Sequence, residues 1–248
     1  ASRQVTINLH FTTGKLYRFG KIKFSNNTFY SHDFLRRYLK FHTGSHYKTS
    51  KLLKLNESLN GSGYFSKVNV KPNISKTAPI VPVDIYLKDL PSQNYTAGLG
   101  FATDTGVRGR LGWQWLRVTP NGHKFQALIQ GSQKQNSLQA QYYIPGNSPT
   151  KEQYTISASV FQLNYPVGDS HGKLLSAAKV FHDKNRQYTI SLNALQESYN
   201  FTGGSTLKSS IIYPSAKFEI KKIQAPLFSK SGFVINGQIR GANKSLGA

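Results

Sequence analysis

The sequence predicts a chain in two parts: an α+β domain ordered strand–helix–helix–strand–strand, then an antiparallel all-β region of about nine strands. Three observations predict it. Apolar residues recur at helical spacing only between Ser31 and Leu59. Apolar–polar alternation, the period of a half-buried strand, fills most of the chain after Gln93. Hydrophobic residues make up 38% of the 248 and nowhere run unbroken for the ~20 residues that a membrane helix requires.

In chain order, Tyr17-Arg-Phe-Gly-Lys-Ile-Lys-Phe24 alternates as a strand, and Asn26-Asn27 makes a turn. Ser31 is placed to cap a helix through Phe41, with Phe34, Leu35, Tyr38 and Leu39 on one stripe. After Gly44, Thr49 is the expected cap of a second helix with Leu52, Leu55 and Leu59 on its apolar face. Gly61-Ser62-Gly63 ends that helix, because glycine tolerates the left-handed conformation found at helix ends. Strands follow at Tyr64–Lys71 and Val81–Leu87.

The second part has a different grammar. Tyr95, Ala97, Leu99 and Phe101 alternate with small or polar residues up to Asp104-Thr105-Gly106. Leu111, Trp113 and Trp115 lead to Pro120-Asn121-Gly122, and Phe125, Ala127 and Ile129 resume the pattern. Further strands are read around 138–144, 154–160, 174–181, 188–194, 216–220 and 233–240, the 174–181 stretch with broken alternation. Such strands suit a soluble sandwich, apolar face inward, as well as a membrane barrel, apolar face toward lipid. Tyr95, Tyr143, Tyr154, Tyr188 and Tyr199, near strand ends, point to aromatic girdles.

Composition narrows the chemistry. A mean hydropathy of −0.43 suits barrel strands, whose side chains half face a polar lumen. No charged and apolar leader opens the chain, so any signal peptide is expected to have been removed. With no cysteine there is no disulfide, thiolate metal site or cysteine nucleophile. The net charge of +22 is split evenly between residues 1–92 and 93–248. A nucleic-acid binder concentrates its cations, so no nucleic-acid partner is expected; the even spread favours a general adaptation or attraction to anionic lipid head groups.

No catalytic set emerges. Asp84/Asp89 and Asp183/Glu197 lack spacing for acid–base work, and no serine sits in a nucleophile elbow. His42 and His46 flank Gly44 without a third metal ligand, and the other histidines stand alone. Gly98, Gly100 and Gly106 are strand and turn glycines, since no helix follows to make a phosphate loop. The expectation is a protein that is not an enzyme and needs no metal or cofactor.

Residues 15–91 resemble a POTRA domain, on the strength of two stretches. Phe19 and Gly20 lie in the opening strand; Gly63, Tyr64, Phe65 and Val68 lie in Leu59-Asn-Gly-Ser-Gly-Tyr-Phe-Ser-Lys-Val68 at the second helix exit. Val5-Thr-Ile-Asn-Leu-His-Phe11 looks like the last strand of a preceding POTRA domain, covering residues 1–14. Residues 92–248 are similar to the start of a TamA-type outer-membrane barrel, related to BamA. The similarity lies in Tyr95-Thr-Ala-Gly-Leu-Gly-Phe-Ala-Thr-Asp-Thr-Gly106, Leu111-Gly-Trp113, Asn121-Gly-His123, Ile144-Pro145, Glu152-Gln-Tyr154 and Ile212-Tyr-Pro214.

The resemblance implies an α+β POTRA domain in the periplasm, followed by part of an antiparallel transmembrane β-barrel in the bacterial outer membrane. It implies a factor that assembles β-barrel clients such as autotransporters, with unfolded outer-membrane proteins, a TamB-like inner-membrane-anchored partner and outer-membrane lipid as partners. BamA-type assemblers and two-partner secretion transporters share the plan. A soluble basic β-sandwich binding polysaccharide or nucleic acid is the more distant alternative. The family's lumenal Arg-Gly-Tyr or Arg-Gly-Phe loop is absent, Arg240-Gly241 being followed by Ala242. The chain is therefore expected to be part of a longer protein. Tyr95, Ala97, Gly98, Leu99, Gly100 and Phe101 are the expected lateral-gate strand, because side-chain-free glycines weaken pairing; the competing reading is that Gly98 and Gly100 only relieve crowding in the lumen.

Overall fold

The structure is a computed structural model describing residues 15–25, 28–75, 77–223 and 231–242. The expected strand Val5–Phe11 and the turn Asn26-Asn27 lie outside the described residues. Alternation in the first part yields β1 (Arg18–Ser25), β2 (Phe65–Pro72) and β3 (Ile80–Asp89), with α1 (His32–Arg36) and α2 (Thr49–Asn60) between β1 and β2. The sheet order is β1-β3-β2, parallel between β1 and β3 and antiparallel between β2 and β3. Val83, Ile85 and Leu87 of the central strand pack in one core with Phe19, Phe34, Leu35, Leu52, Leu55 and Leu59, all buried. Each such side chain contributes roughly 1.5–3 kcal/mol of apolar burial, so this one-sided sheet is held by the two helices.

Two helix ends differ from expectation. Ser31 does cap α1, its Oγ accepting from the Phe34 N–H at 3.2 Å, but the helix stops at Arg36 instead of Phe41. The next amides, of Arg37, Tyr38 and Leu39, donate to carbonyls three residues back. This tighter winding lets Tyr38 cross Phe34 edge-on and Phe41 stack on Phe19 at 4.1 Å. Thr49 is the first residue of α2 and not its cap; Lys48 holds that position without a side-chain bond. At the other end Gly63, with φ +67°, and not Gly61 takes the left-handed conformation.

The second part is one antiparallel sheet of nine strands in sequence order. These are β4 (Gln93–Ala102), β5 (Gly106–Trp115), β6 (Lys124–Ser132), β7 (Gln135–Pro145), β8 (Glu152–Tyr165), β9 (Gly168–Asp183), β10 (Arg186–Phe201), β11 (Thr206–Ile223) and β12 (Gly232–Arg240). β9 and β11 run well beyond the expected 174–181 and 216–220. β11 even passes through Pro214, whose missing N–H falls on the β12 side beyond the last paired residues, Ser215 and Arg240.

Register sorts the two faces. One cross-strand row reads Tyr95, Trp113, Ala127, Ala140, Ala158, Leu175, Ala194, Ile212. The adjoining row, on the opposite face, reads Asn94, Gln114, Gln126, Gln141, Ser157, Ser176, Asn193, Tyr213. The apolar row is the open one: Leu175 is 57% exposed and Ile212 45%, whereas Asn193 is 8% exposed. Asn193 accepts from Ser176 Oγ at 2.8 Å and donates to the Tyr213 carbonyl at 3.3 Å. A soluble sandwich shelters its apolar face; here the polar face is sheltered, and no second sheet covers the apolar one among the described residues. No described helix is long and apolar enough to cross a membrane. Tyr95, Tyr154 and Tyr188 lie on the apolar face, but Tyr143 and Tyr199 fall on the polar one, Tyr143 donating to Gln141.

Candidate functional site

Three features of the chain are placed to act: the junction between the sheets, the edge strand β4, and the free edge of the small sheet.

At the junction, β3 ends at Asp89 and β4 begins at Gln93. The turn between β5 and β6 docks on the helical domain. Gly122 has φ +81°, and a side chain there would collide with the Phe34 ring, so only glycine fits. Tyr64 Oη donates to the Gly122 carbonyl at 2.6 Å and Tyr30 Oη to the Leu116 carbonyl at 3.2 Å. Burial pushes both phenols well above their ordinary range, so they remain donors. The Ser31 N–H donates to the Pro120 carbonyl at 2.9 Å. Lys124 Nζ donates to the Ser62 carbonyl at 3.0 Å and lies over the Tyr64 ring. Asp89 Oδ1 accepts from Thr28 Oγ1 at 2.7 Å, its Oδ2 accepts from the Phe29 N–H at 2.8 Å, and Arg117 lies 4.0 Å away.

The residues expected as the POTRA motif divide between two places. Gly63, Tyr64 and Phe65 form the helix exit that meets Lys124, with Tyr64 edge-on to Tyr30 and Phe34. Val68 packs against the core from β2. Phe19 stacks on Phe41 instead, and Gly20 is pressed against β3, where a Cβ would lie 3.0 Å from the Pro82 nitrogen.

The strand β4 is an edge of the large sheet, bonded only to β5 among the described residues. Tyr95, Ala97, Leu99 and Phe101 share its apolar face, Leu99 being 93% exposed. Gly98 and Gly100 face the other way, with the Arg110 stem 3.1 Å and the Arg108 Nε 3.2 Å from where a Cβ would stand. The glycines thus make room for two cations from β5.

The small sheet has two edges, β1 and β2, the central β3 being paired on both sides. Segment 43–47 covers the first half of β1: the Phe19 N–H donates to Ser45 at 2.9 Å and the Gly44 N–H to Phe19 at 2.7 Å. On β2 the outer backbone groups have no partner among the described residues.

Alternation did not point to Lys124, Arg117, Arg108 or Arg110. Pro120-Asn121-Gly122 announced a turn, not the surface it meets. Among the described residues no three metal-ligating side chains cluster.

Residues 17–89 match the POTRA family, described as surface antigen variable number repeat. In fold, the chain is similar to BamA from Haemophilus ducreyi lacking POTRA domains 1–3, with a TM-score of 0.71 at 14% identity, covering 93% of this chain and 49% of that one. It is also similar to CdiB from Acinetobacter baumannii (TM-score 0.55, 16% identity, 94% and 46% covered). CdiB from Escherichia coli gives a TM-score of 0.54 at 12% identity, with 93% and 46% covered. The chain spans about half the length of these solved structures. Its fold is a POTRA domain followed by an open nine-stranded sheet resembling part of a BamA barrel.

Proposed function

We propose that this protein is a bacterial outer-membrane assembly and translocation factor of the TamA type, helping β-barrel clients such as autotransporters into the membrane. In this reading residues 15–91 are the periplasmic POTRA domain, residues 92–248 the first part of a transmembrane barrel, and residues 1–14 the end of a preceding POTRA domain. The observation that carries the reading is the inverted burial of the large sheet: an apolar face open to lipid and a sheltered polar face for the lumen. Unpaired strand edges cost several kcal/mol per group in lipid, so in the whole protein further strands close the barrel.

Two edges carry the mechanism. The free edge of β2 adds a strand from an unfolded client, main-chain hydrogen bonds giving affinity without demanding a sequence. The seam strand β4, with Tyr95, Ala97, Leu99 and Phe101 toward lipid and Gly98 and Gly100 inward, parts from the closing strand to admit the client. The glycines contribute no packing, so this strand separates at lower cost than its neighbours. A TamB-like inner-membrane-anchored protein delivers clients to the POTRA side, and no cofactor enters the process.

Cysteines at Leu99 and in the facing residue of the barrel's closing strand test the seam in proteoliposomes. The oxidised, crosslinked protein is expected to insert an unfolded autotransporter at least tenfold more slowly, with recovery on reduction. Equal rates before and after reduction refute the gate.

A further inference from the structure

The outward face of the small sheet is basic. Lys23 stands on β1, Lys67 and Lys71 on β2 and Lys88 on β3, and Arg117 closes the barrel end of a groove floored by Asn69 and Tyr86. Lys67 and Lys88 are direct cross-strand partners, a like-charge pair that disfavours the empty sheet. Asp84 faces Lys71 across the β2–β3 ladder and Lys23 across the β1–β3 pair, whereas Lys67 and Lys88 face each other; among the described residues none of Lys67, Lys71 and Lys88 has a carboxylate within 4.0 Å. Lys71 Nζ lies 5.5 Å from the centroid of the half-exposed Tyr86 ring.

This row of cations runs along β2, the edge whose backbone is unpaired. On β2, Val68 and Val70 pack toward the core while Lys67, Asn69 and Lys71 face the groove. A strand added beside β2 places its own side chains alternately on the same two faces. We infer that the β2 edge selects extended segments in which acidic and apolar residues alternate, the acids seated against Lys67 and Lys71. Lys67 and Lys71 lie four residues apart, about 13 Å along the strand, matching acids at the same spacing in the added segment. The inference rests on the strand-adding role of β2 and adds a filter by charge. Membrane phosphates would be served by cations anywhere on the surface; the coincidence of the cations with unpaired backbone favours a peptide.

The test uses the whole protein in neutral detergent and fluorescent nine-residue peptides, read by anisotropy at low ionic strength. One peptide alternates glutamate with valine, one alternates lysine with valine, and a third is the acidic peptide with alternate amides N-methylated. The acidic peptide is expected to bind at least tenfold more tightly than either of the others. The Lys67→Gln/Lys71→Gln variant is expected to bind it roughly fivefold more weakly, a difference that shrinks with salt. Equal binding of acidic and basic peptides overturns the charge filter and leaves strand addition standing. Undiminished binding of the N-methylated peptide, or binding of no peptide, overturns both. If the double variant loses affinity for phosphatidylglycerol vesicles but keeps it for the acidic peptide, the face serves lipid and the inference is overturned.

Discussion

The ammonium of Lys124 lies 3.7 Å from the centroid of the Tyr64 ring. A cation from the first residue of β6 is thus held by the residue that ends the helical layer of the POTRA domain, with the Ser62 and Gly63 carbonyls completing its shell at 3.0 and 3.4 Å. Removing one partner of a buried charge costs more than removing the charge itself. Tyr64→Leu is therefore expected to destabilise the POTRA domain by about 3 kcal/mol, and Lys124→Met by under about 1 kcal/mol. The double variant should recover roughly 1–2 kcal/mol relative to the sum, a coupling that urea denaturation measures.

Lys124 stands on the periplasmic side of the proposed membrane band, against the POTRA domain, and burial pushes its ammonium from the ordinary 10.5 down to about 8. Below pH 8 folded and unfolded chains both hold the proton. Between about 8 and 10.5 the folded chain has released it while the unfolded chain keeps it, so this group's contribution to stability rises with pH. The stability of the protein minus that of Lys124→Met should accordingly climb from pH 8 to pH 9.5 and stay level from pH 6 to 7.5, as thermal unfolding at stepped pH would record.

Gly122 combines a left-handed backbone with contact against the buried Phe34 ring. Gly122→Ala is expected to cost about 2–4 kcal/mol, from backbone strain and overpacking together. Phe34→Leu in the same chain should return part of that loss by vacating the ring's space, whereas two independent sites would simply add. Hydrogen exchange of the 116–123 turn gives the local readout.

The two faces of the large sheet predict opposite tolerances. Leu175→Arg places a charge on the apolar face, which the proposed barrel turns toward lipid, and should weaken folding into phosphatidylcholine vesicles by about 2–4 kcal/mol. Ser157→Arg, on the sheltered polar face, should change it by under about 1 kcal/mol. Reversal of this order in urea titrations would contradict the barrel reading.

Much of this architecture is legible in local sequence because its cause is local. The α2 face of Leu52, Leu55 and Leu59 follows from helical spacing, and all three are buried. About nine strands follow from alternation and turn residues, and the described residues form nine in the large sheet. Where packing across the chain decides, the sequence is silent. α1 stops at Arg36 because Tyr38 and Phe41 are drawn onto the aromatic core, which no helical stripe reveals. β9 reads poorly because Lys179 sits on its apolar face, where its ammonium lies over the Tyr154 and Phe181 rings at 5.1 and 4.6 Å. Lys124 is one lysine among many until its environment is known, 62 and 61 residues distant along the chain.

The short passage from Asp89 to Gln93 has a mechanical consequence. It spans only residues 90–92, and Ser92 accepts from the Leu116 N–H at 2.7 Å, so there is no slack tether between the sheets. β3, the central strand of the small sheet, leads straight into β4. With a client strand annealed to β2 as proposed, a pull on it would load the β2–β3 ladder in shear, where its bonds resist together, and would pass to β4 through residues 90–92. The small sheet then works as a lever arm, with the docked 116–123 turn as its fulcrum.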